Sequence, residues 1–165
     1  MNHEYAVWGL LALAMASALV SGIFLAFSDV VMPSLRAARP VAGSEAMQMI
    51  NRQVYRSVFI VLLVGLIPIS VAVAVWALVW TDTAAGPWLV AAGVLYSCGV
   101  FGTSAIGNIP KNRILESMPL AGVAAQAYWP DYVRGWLPWN HLRTVSSMGT
   151  AACYMVAAVL LAQAG

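Results

Sequence analysis

The chain has 165 residues, of which 62% are hydrophobic and only 8% charged, with a formal net charge of +2. A soluble domain carries about 25% charged residues, so this composition excludes an ordinary water-soluble fold. The net charge says little by itself, its placement says more, and no nucleic-acid partner is expected.

Four uncharged apolar stretches follow one another along the chain. About 20 apolar residues at 1.5 Å rise cross a hydrocarbon core of about 30 Å. The stretches are residues 5–27, 57–80, 88–107 and 144–164. Backbone polar groups in lipid must pair within the segment, so each is expected to be a helix. Residues 1–165 are therefore read as one all-α membrane domain, a polytopic four-helix bundle. The segment before the first stretch, Met1–Glu4, has no Lys or Arg, and the apolar run exceeds a cleavable signal's core. It is read as a retained helix.

All basic residues lie in two polar segments, residues 28–56 and 108–143. The first holds Arg36, Arg39, Arg52 and Arg56, and the second holds Lys111, Arg113, Arg134 and Arg143. Basic loops are retained in the cytoplasm. Both segments are thus expected to be cytoplasmic, with both termini outside and His3 outside with them. The expected location is a bacterial plasma membrane. The Thr81–Pro87 turn, with Gly86 and Pro87 as breakers, joins the second and third spans as a hairpin.

The first polar segment opens with Asp29 directly after span one. Asp29 reads either as a salt-bridge partner for a nearby arginine or as a proton acceptor at the membrane boundary. Pro33 and Pro40 are expected to break helix. Ser44 is then expected to cap a helix running from Glu45 into span two. On that helix Gln48, Asn51 and Arg56 belong either to a solvated face or to a pocket mouth. Span three ends in SAIGNIPKNRIL. Pro110 is expected to break it there, with Asn108 capping a new helix or turning its amide into a cavity beside Asn112.

The densest run of unusual residues is WPDYVRGWLPWNHLRTVSS, residues 129–147. Its aromatics fit an interfacial belt. Pro138 suits the first turn of a fourth helix. On that helix Trp136, Asn140, Arg143 and Ser147 share a stripe, and His141 points about 100° away. Arg143 either snorkels to lipid phosphate or holds an anion with the help of the helix N-terminus. Cys98 and Cys153 lie within apolar runs and read as small buried side chains. No metal-ligand spacing, nucleotide motif or catalytic-triad motif is present.

Several blocks together resemble the anthrone oxygenase-like family of small membrane proteins. They are Met32-Pro33-x-Leu35, Met47-Gln48-x-Ile50-Asn51, Asn108-Ile109-Pro110-Lys111-Asn112-x-x-Leu115, and Trp129-x-x-Tyr132-x-x-x-Trp136-x-x-Trp139-Asn140-His141-x-Arg143-Thr144. The resemblance runs from about Gly22 to Ala152. It departs at Arg56-Ser57-Val58, where the family places a proline before Phe59, and at Lys111, where an apolar residue is common. The resemblance implies oxidation of a hydrophobic aromatic or quinol-like molecule by dioxygen, with no cofactor and no metal. In that scheme His141 is the expected base and Asp29 the second choice. Arg143 and Asn140 hold the resulting anion. Asn108 and Asn112 orient the substrate oxygen, Gln48 and Asn51 line the mouth, and Trp136 and Trp139 stack on the ring. The rival reading is a non-catalytic membrane component that binds a lipid or small molecule, or serves as a partner subunit. Small residues such as Gly9, Ala12, Ala16, Gly93 and Ser97 permit close helix contact, within one chain or in a homo-oligomer.

Overall fold

The structure, a computed structural model, describes residues 3–80 and 82–164, with the backbone alone for His3 and Trp80. The side chain of His3, and Thr81 in the hairpin turn, lie outside the described residues. The chain forms five helices: α1 (Glu4–Ala37), α2 (Pro40–Val54), α3 (Val58–Val79), α4 (Gly86–Glu116) and α5 (Val123–Ala164). All but α2 are long and apolar enough to cross a membrane, and no strand occurs among the described residues. The molecule is an all-α bundle of membrane-length helices.

Helix α5 is the pillar. Half of its most apolar window is buried, against 11% for α3. Helices α1, α2 and α4 all pack on α5, and α3 packs chiefly on α4. The core has three layers along the bundle axis. The layer near the hairpin joins Leu10, Leu89, Tyr154 and Leu161. The middle layer joins Val20, Phe24, Leu66 and Tyr96. The layer at the basic end joins Met32, Met47, Leu115, Trp129 and Tyr132.

Three of the four spanning helices run well past the apolar stretches. Helix α1 continues across Pro33 to Ala37 instead of breaking. A π turn at Phe27–Val31 gives the Phe27 carbonyl to the Met32 N–H, and Pro33 then falls in the first turn of the following α segment, where a missing N–H costs least. The break comes at Ala38 and Arg39. Arg39 is extended (ψ 140°), as the residue before Pro40 must be, and Pro40 starts α2. Ser44 is therefore not the cap. It sits inside α2, and its hydroxyl donates back to the carbonyls of Pro40 and Val41.

Helix α2 does not run into α3. A turn at Tyr55–Ser57 separates them, and the Ile60 N–H donates to Ser57 Oγ at 3.4 Å. Gly86 and Pro87 stand at the start of α4, not in the turn before it. Helix α4 also passes its expected stop. Two π segments, Leu95–Gly102 and Ser104–Asn108, precede Pro110, which again lies in the first turn of an α segment. Asn108 makes no cap.

Helix α5 begins at Val123, upstream of both Pro130 and Pro138, so Pro138 is an interior residue. The reason is the buried stripe Ala125, Trp129, Tyr132, Trp136, Asn140 and Arg143, spaced three or four apart. Both prolines lie on the opposite, exposed face. Cys153 is buried, but Cys98 is exposed and faces away from the neighbouring helices. Both are free thiols.

Candidate functional site

A cavity of about 150 Å³ lies at the level where α2 hands over to α3. Its floor comes from α4 and α5 and its rim from α1, α2 and α3. Polarity is graded. Asn51, Asn140, Arg143 and Ser104 are buried at the back, whereas Ile23, Ile60 and Leu63 are only partly buried and Tyr55 is exposed.

Arg143 dominates the back wall. It is 7% exposed, and among the described residues no carboxylate lies within salt-bridge distance. Burying an unpaired charge costs several kcal/mol by order of magnitude. Three contacts offset this. One guanidinium nitrogen donates to Asn140 Oδ1 at 2.5 Å. The guanidinium carbon lies 4.3 Å from the Phe24 ring centroid and 5.2 Å from that of Trp136, within cation–π range of both. Nε has no partner among the described residues. A buried cation with a spare donor beside a cavity is an anion site by its chemistry.

Two asparagines are held in fixed orientations around it. Asn140 Nδ2 donates to the Phe24 carbonyl (2.7 Å) and to Ser28 Oγ (2.6 Å), which leaves its oxygen for Arg143. Asn112 Oδ1 accepts from Tyr132 OH (2.8 Å) and from Trp136 Nε1 (3.0 Å). Asn112 lines the cavity with its oxygen so committed. Asn51 lines the same space, and its buried Nδ2 is set towards the Tyr132 hydroxyl. The Asn112 and Asn140 oxygens are already engaged, and the Arg143 guanidinium brings positive charge to the wall. Such a set suits a carbonyl, phenolate or enolate oxygen on an otherwise apolar molecule.

The expected site residues divide into three groups. Arg143, Asn112, Asn140, Asn51 and Trp136 come together at the cavity. Gln48, Asn108 and Trp139 are turned to the framework. Gln48 donates to the carbonyls of Leu115 and Met118, tying α2 to the end of α4. Asn108 Nδ2 donates to the Trp136 carbonyl at 3.1 Å, tying α4 to α5. The Trp139 indole packs on Gly107, where no side chain would fit. His141 and Asp29 form the third group. Both are exposed, neither lines the cavity, and Asp29 has no salt bridge to an arginine among the described residues. Arg56 is exposed as well. Phe24, Phe27, Phe59 and Ser28 were not singled out by sequence. The spacing Ser17, Ser21, Phe24, Ser28 marks the buried face of α1 and is the signal that points to them.

A profile of the anthrone oxygenase family matches residues 52–153. The chain belongs to the anthrone oxygenase family. Comparison with curated proteins and with solved structures gives no match. The family match covers all of α3 and α4 and the part of α5 that carries Trp136, Asn140 and Arg143, so it includes the Arg143 wall of the cavity. Phe24 and Asn51 lie before the matched region.

Proposed function

We propose that this anthrone oxygenase family member oxidises a hydrophobic hydroxyarene or anthrone-like molecule with dioxygen at the α1–α5 cavity. One observation carries the reading: the caged Arg143 guanidinium, without a carboxylate partner, at a cavity also lined by Asn112 and Asn51. The guanidinium stabilises the oxyanion of an anthrone once its ring-methylene proton is lost. The enolate carbon then donates an electron pair to dioxygen and a C–O bond forms. Protonation gives a hydroperoxide, and loss of water breaks the O–O bond and removes the remaining C–H. The methylene has become a carbonyl, with one oxygen atom in the product and the other in water. The residues supply electrostatic stabilisation and orientation, and Trp136 and Phe24 supply a ring-sized apolar wall.

No Asp, Glu, His or Lys is among the residues that line the cavity. The proposal therefore assigns His141 and Asp29 no contact with substrate. The first proton passes to solvent at the mouth, driven by the raised acidity of the bound substrate as its anion is stabilised. The same lack of a base favours a second reading, a binder of aromatic anions with no turnover.

The deciding experiment is oxygen uptake by purified protein supplied with an anthrone. The expected result is uptake well above the uncatalysed rate that is lost in Arg143→Gln. Uptake at the uncatalysed rate, with the phenolate still bound, selects the binder. Uptake unchanged in Arg143→Gln overturns the site.

The expected setting is the plasma membrane, with the basic end in the cytoplasm and lipid around α3.

A further inference from the structure

Asn140 has no exposed surface, and both ends of its amide are engaged. Its Nδ2 donates to the Phe24 carbonyl at 2.7 Å and to Ser28 Oγ at 2.6 Å, both on α1. Its Oδ1 accepts from the Arg143 guanidinium at 2.5 Å. An amide nitrogen carries two hydrogens, so neither is left for a ligand. Asn140 therefore acts on a ligand through Arg143.

The bonds to α1 set the geometry. A backbone carbonyl only accepts, so the Phe24 carbonyl fixes which end of the amide faces α1 and turns the oxygen towards Arg143. Phe24 is also the residue whose ring centroid lies 4.3 Å from the guanidinium carbon. One side chain thus holds an edge of the cation and is tied to the residue that covers its face.

Charge is the second part. Arg143 is the only formally charged residue among those lining the cavity. Asn140 precedes it by three residues on α5, a spacing at which a carboxylate pairs with arginine. Aspartate has nearly the shape of asparagine. At this position it would cancel the charge of the guanidinium and set an oxygen against the Phe24 carbonyl. The amide accepts the same hydrogen bond and leaves the charge uncompensated.

We infer, resting on the oxyanion reading of the cavity, that Asn140 is the positioning residue that sets its charge selectivity. Its neutral amide orients Arg143 without quenching it, so the site favours a phenolate or enolate over an uncharged molecule of the same shape.

The test compares para-nitrophenolate with para-nitrotoluene, an uncharged molecule of similar shape, by titration of the full-length protein in detergent. The unaltered protein should prefer the phenolate. Asn140→Asp should weaken phenolate binding by roughly a hundredfold and leave nitrotoluene binding unchanged. Dye bound to the unaltered protein should absorb as phenolate, and dye bound to Asn140→Asp as phenol, a change that a purely structural role does not produce. Asn140→Leu keeps shape and neutrality but removes the hydrogen bonds. It should weaken phenolate binding by about tenfold and retain the preference for the anion.

Phenolate binding unchanged in Asn140→Asp, or weakened equally by aspartate and leucine, would overturn the inference. If Asn140→Asp also loses nitrotoluene, Asn140→Leu decides alone: unchanged phenolate binding overturns the inference, and the tenfold loss with the preference kept supports it. Arg143→Gln separates the two levels. Phenolate binding unaltered in that variant removes the oxyanion reading itself. Binding lost there but kept in Asn140→Asp removes only the role of Asn140.

Discussion

At the scale of single residues, the question is which polar side chains are spent and which are available. Arg143 is the available cation, and its planar group is sandwiched by Phe24 and Trp136 while one edge is held by Asn140. Lysine keeps the charge but neither the fork nor the stacking. Arg143→Lys should therefore weaken phenolate binding by about tenfold, and Arg143→Gln by roughly a hundredfold, read as dissociation constants by titration in detergent. Equal affinities in all three proteins would mean the guanidinium is structural. Tyr132→Phe removes one of two donors to Asn112 Oδ1 and should cost about 1 kcal/mol of stability, measured by thermal unfolding. It should also raise KM, because Asn112 at the cavity wall is then held by Trp136 alone. A further expectation concerns protons. With no base lining the cavity, the oxidation rate should climb with pH at a slope of about one and show no inflection near the ordinary histidine pKa of ~6.5. His141→Ala should trace the same profile, and an inflection that disappears in that variant would restore His141 as the base. Much of this site was legible in the sequence, since an Asn or Arg beside an apolar span stands out. Its sorting was not. Gln48 and Asn108 look as promising as Asn112, yet their amide nitrogens donate to backbone carbonyls of neighbouring helices. Partners distant in sequence decide that. Phe24 was illegible for the opposite reason, because one phenylalanine in an uncharged span resembles every other.

At the scale of helices, prolines misled where the buried stripe was the stronger term. Pro33, Pro110 and Pro138 were all expected to stop or start helices, and all three are carried within longer rods. The first two follow π turns, which shift the hydrogen-bond register so that the missing N–H falls at a first turn. Pro138 has no such device. It is tolerated because Trp129, Tyr132 and Trp136 pack on one face while the proline ring stands exposed on the other. The two views make opposite predictions for Pro138→Ala. If Pro138 opened a separate helix, alanine would remove a favourable N1 residue and destabilise it. As an interior residue, its replacement gives the Arg134 carbonyl back a donor and should stabilise the fold by roughly 1 kcal/mol. A shift of the unfolding midpoint in detergent has the sign that discriminates. The apolar spans themselves were read well, because length and freedom from charge fix them. The helical extensions into polar sequence were not, because outside lipid nothing in composition alone separates a loop from a packed helix.

At the scale of the whole molecule, the helix order places every one of the basic residues at the end where α2 lies and where α4 meets α5, and leaves the α3–α4 hairpin without any. Some of these cations serve the fold. Arg52 pairs with Glu116 between α2 and α4, and Arg134 meets Asp131 at 3.4 Å along α5. Both pairs are substantially exposed and contribute little to stability. Their shared position matters more during insertion, when basic segments resist translocation. The site depends on the outcome, since the mouth of the cavity sits at the basic end and would open to whichever leaflet that end occupies. Replacing Cys98 and Cys153 with serine and adding one cysteine at Thr83 or Ala38 tests this. Both positions are exposed. In intact cells a membrane-impermeant maleimide should label the Thr83 variant at once and the Ala38 variant only after permeabilisation. The reverse pattern would put the hairpin inside, against eight cations left outside. At about 1 kcal/mol for each basic residue near an anionic leaflet, that arrangement would need a retaining force the sequence does not contain.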